Sequence, residues 1–167
     1  MDELVVDFKA ESLTLIGEML TILEAIEGDA SKFTQLEQYG QIVDRIMGAS
    51  KSLALMDPKL TPMMEPIGKY TEVCKEVAYK GSQVPNNEAL FNAVVGLLFD
   101  GAEMIKELVE GIGNNKSVAI KDAVNQTFLE RLVWVTKQFG SNLRGTLDTG
   151  SNKKTSEIEE LLKKMGL

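Results

Sequence analysis

The chain has 167 residues, a formal charge of −7, one cysteine and no histidine. Without imidazole there can be no histidine-ligated zinc, no Ser-His-Asp triad and no Cys-His dyad, and a single thiol cannot close an intrachain disulfide. The acidic balance argues against nucleic acid, whose affinity comes from lysine and arginine neutralising phosphates, and neither G-x-G-x-x-G nor G-x-x-x-x-G-K is present to cradle a phosphate.

A chain of this length buries about two thirds of its unfolded surface in one domain and needs no metal staple. Its opening, M-D-E-L, carries acids where a secretory signal needs positive charge, and no apolar run reaches membrane-spanning length. A cytoplasmic protein that neither enters a membrane nor binds a cofactor or metal of its own is expected.

Helical periodicity runs through the chain. A first helix is predicted over about 2–27, with Val5, Phe8, Leu13, Ile16, Met19, Leu20, Leu23 and Ile26 on one face, ended by Gly28-Asp29. A second spans about 33–56, stacking Leu36, Tyr39, Ile42, Val43, Ile46, Ala49, Leu53 and Leu55, before Asp57-Pro58, which reads as a cap and a first-turn proline. Pro62 and Pro66 should disturb the following turns, so a third regular helix is placed at about 66–80, through Ile67, Tyr70, Cys74 and Val77. Cys74, beside Val73 and Val77, fits a buried small hydrophobe better than a nucleophile lacking a base.

Asn86 or Asn87 should cap a fourth helix over about 88–112, and a fifth is expected at about 117–147, carrying Trp134 in the core or at a subunit interface. Gly96 and Gly101 weaken the fourth helix intrinsically and suggest close packing there. Residues 148–155, D-T-G-S-N-K-K-T, have no apolar side chain and read as a flexible linker; Ser156 with Glu159 then makes a capping box for a short amphipathic helix over 156–167. The expected fold is all-α, an antiparallel up-down bundle of about five helices over 1–147 plus the short C-terminal helix.

The segment I-V-D-R-I-M-G-A-S-K-S-L-A-L, residues 42–55, resembles the phosphate-carrying helix of histidine phosphotransfer (HPt) domains, which reads His-x-x-Lys-Gly. Asp44 stands at the histidine position and Met47 at the lysine position, while Gly48 keeps the glycine. Y-T-E-V-C-K-E-V-A-Y-K-G-S-Q, residues 70–83, is similar to the third helix of the phosphotransfer domain of chemotaxis kinases, and the resemblance covers roughly residues 4–112. It implies an HPt-like bundle that cannot carry phosphate and docks its partner through Asp44, Met47, Gly48 and Lys51. The partner implied is a CheY-like response-regulator receiver domain or a chemotaxis-type histidine kinase. The plainer alternative is that Asp44 and Arg45 are solvated positions of an amphipathic helix.

The C-terminal string I-E-E-L-L-K-K-M-G-L resembles the receiver-binding helix of the CheZ family of chemotaxis phosphatases. Ile158, Leu161, Leu162, Met165 and Leu167 would supply its apolar anchors, with Lys163 and Lys164 departing from the pattern. That family places an acid four residues before a glutamine that orients water for attack on the receiver's aspartyl phosphate, with magnesium held by the receiver. Two pairs here have that spacing, Glu37 with Gln41 and Asp122 with Gln126. The leading expectation is therefore a receiver-binding adaptor, with a CheZ-type phosphatase as the alternative. A third reading is a structural module that forms a homodimer through surfaces around Met63, Met64, Gly96 and Gly101.

Overall fold

The computed structural model describes residues 2–114, 126–140 and 142–145 of the chain. Every regular element among them is helical: α1 (Glu3–Ile26), a 3-10 turn (Ala30–Gln35), α2 (Leu36–Met56), α3 (Thr61–Gly81), α4 (Glu88–Glu110) and α5 (Gln126–Phe139). No described helix is long and apolar enough to cross a membrane.

Local chemistry sets the boundaries. The Asp2 carboxylate caps α1 by accepting from the Leu4 N–H, and the chain reverses at Gly28, whose φ of +78° suits glycine. Asp29 then accepts from the backbone and hydroxyl of Ser31, which draws residues 30–35 into a 3-10 turn and delays the regular second helix to Leu36. Asn87 Oδ1 accepts from the Leu90 N–H and so settles which asparagine caps α4.

The third helix starts five residues earlier than expected. Pro62 lies in the first turn, where its missing N–H has no intrahelical acceptor, and Pro66 forfeits only the bond to the Pro62 carbonyl. Burial of Met64, Ile67 and Gly68 around it keeps that turn helical. Asp57 consequently ends α2 and caps no helix; its carboxylate accepts from the Lys59 N–H in the connecting turn.

Side-chain pairings give the topology. Along α2 and α3, Gly40 meets Tyr79, Asp44 meets Lys75 and Lys51 meets Glu72, an antiparallel register. Between α3 and α4 the opposed pairs are Gly81 with Val94, Cys74 with Gly101 and Tyr70 with Met104. Lys9 of α1 donates to the carbonyls of Glu110 and Ile112, closing the four-helix ring, and α5 runs back along α4 through Arg131 and Asp100, 2.6 Å apart. The result is the expected all-α antiparallel bundle.

The core is continuous and centred on α3 and α4. Tyr39 donates from its hydroxyl to the Leu98 carbonyl, Tyr70 to the Met104 sulfur, and the Tyr70 and Phe128 rings stack tilted with centroids 5.3 Å apart. Cys74 lies among them, buried as expected, and burial pushes its thiol up to about 12. A Cβ on Gly101 would stand 2.5 Å from the Cys74 sulfur, so the close packing expected of that glycine is real.

Three expectations need correction. The fifth helix does not reach residue 147: it ends at Phe139, because Gly140 takes φ of +68°, and residues 142–145 are not helical. Trp134 is not core; it and Val133 are exposed on α5. Met64 and Gly101 are buried inside the bundle and offer no surface for self-association. The expected start of the fifth helix, the linker at 148–155 and the C-terminal helix at 156–167 lie outside the described residues.

Candidate functional site

An α-helix advances about 100° per residue, so positions 37, 41, 44, 48, 51 and 55 of α2 fall within a sector of about 80°. This stripe faces away from the core. Gln41, Asp44, Gly48, Lys51 and Leu55 are exposed, Glu37 is half-buried, and Met47 borders the stripe, also half-buried. Behind it stand Leu36, Tyr39, Val43, Ile46 and Leu53, whose burial against the bundle fixes the direction of the face. Leu55, 87% exposed, was expected to continue the buried row but extends the outward face instead.

The neighbouring helix supplies the flank. Lys75 of α3 reaches Asp44 at 3.6 Å, and Lys51 reaches Glu72 at 3.0 Å. On the other side Arg45 pairs with Glu11 of α1 at 2.8 Å. Asp44 thus has a cation beside it although Met47 occupies the lysine position of the HPt pattern; the charge comes from Lys75 instead. That residue, with Glu72 and Tyr79, was not legible beforehand, since only the α2–α3 register brings it there.

The stripe's two inner glycines differ in what they meet. A Cβ on Gly40 would stand 2.9 Å from the Tyr79 ring, so this glycine makes room for a neighbour. Its presence beside Gln41 therefore has a packing cause. A Cβ on Gly48 would meet nothing within 4 Å. Nothing among the described residues requires glycine at that position.

Tyr79 closes the upper end of the stripe. Burial, together with the Asp44 and Glu37 carboxylates opposing a further negative charge, pushes its phenol up to about 12. Glu37, Asp44 and Tyr79 are therefore neighbours, and Gln41, one turn after Glu37, is exposed. The second acid–glutamine pair is described only in part: Gln126 is exposed and donates to Glu130 at 3.2 Å, while Asp122 lies outside the described residues. So do Ile158, Leu161, Leu162, Met165 and Leu167. Among the described residues no group of three or more acid or thiol side chains is placed to hold a metal ion.

What the face can do chemically is limited by its groups. It offers carboxylates, ammonium groups and one free amide on a rigid helix, with no nucleophile whose pKa has been lowered. Such a surface is equipped to be recognised. No protein-family model, curated protein or solved structure matches the chain.

Proposed function

We propose that the protein is a non-phosphorylatable HPt-like adaptor that docks a response-regulator receiver domain on the outward stripe of α2. The observation that carries this reading is Gly48. A glycine inside a helix costs about 1 kcal/mol relative to alanine, and here no packing neighbour repays that cost. A smooth, open spot on the helix suits close approach by another molecule.

Two features support the same reading. Asp44 occupies the acceptor position and is held by Lys75, so the face keeps an acid–cation pair where an HPt helix keeps its imidazole and lysine. Leu55 extends the stripe with exposed apolar surface, which a partner could bury.

The test is titration of the isotopically labelled protein with receiver domains from the same genome, each with and without beryllofluoride. Amide shifts clustering at Gln41, Asp44, Gly48, Lys51 and Leu55 are the expected result. Shifts confined to α4 and α5, or no binding by any receiver, would overturn it. Faster loss of phosphate from a phosphorylated receiver, abolished by Gln41→Ala, would replace the adaptor with the phosphatase reading.

A further inference from the structure

Beyond Phe139 the chain leaves α5 at Gly140, which has a left-handed φ of +68° and nothing within 4 Å of its missing Cβ. Residues 142–145 then lie across the C-terminal end of α3. The Gln83 side chain grips this segment at one residue: its Nε2 donates to the Arg144 carbonyl at 2.6 Å, and its Oε1 accepts from the Arg144 N–H at 3.0 Å. The same amide nitrogen donates to the Tyr79 carbonyl at 2.8 Å, which ties the grip to the last turn of α3. Leu143 is half-buried against the core.

Under the segment lies the most deeply buried ion pair among the described residues. Lys80 Nζ stands 3.1 Å from Glu76 Oε1, with side chains 3% and 5% exposed. Gly145 covers the carboxylate so closely that a Cβ there would stand 2.8 Å from Glu76 Cγ and 3.2 Å from its oxygen. Ions give up hydration when they are covered, so the pair itself resists closure. Among the described contacts, the Gln83 amide and Leu143 favour closure.

We propose that residues 142–145 form a strap that opens and closes over the Glu76–Lys80 pair as its own unit, with Gln83 as the latch and Gly140 as the hinge, while the helices stay folded. Opening requires no change in the core, because the strap contributes one half-buried apolar side chain to it. Water then reaches both ions, which compensates the lost contacts. The strap is thus a two-state element at the C-terminal end of α3, distinct from the α2 stripe and independent of what docks there.

Amide hydrogen exchange on the full chain tests this, because it resolves local opening from global unfolding. In the unmodified protein the Arg144 amide should exchange more slowly than a free peptide yet faster than the amides of Val94 and Met104. Gln83→Leu should speed Arg144 exchange by about tenfold, the effect of losing roughly 1.4 kcal/mol of hydrogen bonding, with Val94 and Met104 unchanged. Should that variant fold poorly, Gly145→Ala, which places a methyl against Glu76, should produce the same selective loss. The proposal fails if Arg144 exchanges at the rate of the core amides, if the latch variant leaves Arg144 unchanged, or if protection falls equally across α3 and α4.

Discussion

Gly101→Ala should destabilise the protein, and Cys74→Ala should rescue it. The new methyl would sit 2.5 Å from the Cys74 sulfur, whereas ordinary van der Waals contact begins at 3.4 Å. One of the two groups must therefore move by almost an ångström, in a region where Cys74 is 2% exposed and Tyr39, Tyr70 and Phe128 are fully buried. Overpacking of this kind costs about 1–3 kcal/mol, and the top of that range applies where the neighbours are rigid aromatics. Alanine regains about 1 kcal/mol of helix propensity, leaving a net loss of about 2 kcal/mol. Cys74→Ala alone removes one buried sulfur and should cost about 1 kcal/mol.

In the double variant the alanine methyl at 101 occupies the space the sulfur vacated. Its total loss should be about 1 kcal/mol, where independent effects would sum to about 3 kcal/mol. Urea denaturation of the four proteins measures this directly, with the midpoints carrying the effect and the m-values unchanged. A double variant whose loss equals the sum of the singles to within about 0.5 kcal/mol would refute the contact between α3 and α4 at this point.

Gly48→Ala, by contrast, should stabilise the protein by about 0.5–1 kcal/mol, since the added methyl meets nothing; a lower denaturation midpoint would mean that the helix is not regular there. Glu76→Ala should cost about 3–5 kcal/mol by stranding the Lys80 ammonium, while Glu76→Leu with Lys80→Met should cost much less, and equal losses would show that the pair is well hydrated. Burial raises the thiol of Cys74 from 9.0 to about 12 and the phenol of Tyr79 from 10.0 to about 12. The unfolded chain releases these protons first, so stability is full below pH 9 and falls as pH climbs toward 12; a flat profile across that window would contradict the burial of both groups. For the same reason Cys74 should react with a thiol reagent at neutral pH only as fast as the protein opens.

The bundle was legible because apolar residues recur with the helical period through long segments, and α1, α2 and α4 formed close to the expected limits. The misses have specific causes. Pro62 and Pro66 looked like breakers, but only one of them removes a hydrogen bond that the helix uses. Leu143 lies one helical turn beyond Phe139 and so appears to prolong the fifth helix, yet Gly140 turns the chain and delivers Leu143 to the core from a different direction. Trp134 was expected in the core or at a subunit interface by residue type; the core option fails because the buried positions of α5 are Phe128, Leu132, Val135 and Phe139.

The stripe on α2 could be drawn from spacing alone, because 37, 41, 44, 48 and 51 share a face of any regular helix. Its flanks could not. Lys75 and Tyr79 join it through the register of α3, which no local pattern encodes. Glu76 and Lys80, spaced i,i+4, look in sequence like a solvated surface pair; both are buried, and Gly145, more than sixty positions later, lies against Glu76.

Receiver affinity of Gly48→Gln, compared with the unmodified protein and with Glu107→Gln on the exposed side of α4, tests the docking proposal most directly. Glutamine is a better helix former than glycine, so the variant should fold at least as stably while its side chain blocks the open spot. The proposal predicts that binding to the receiver weakens by about tenfold or more, a loss of roughly 1.4 kcal/mol, with the Glu107 variant unaffected. A Gly48→Gln protein that binds as tightly as the original would contradict docking on the α2 stripe.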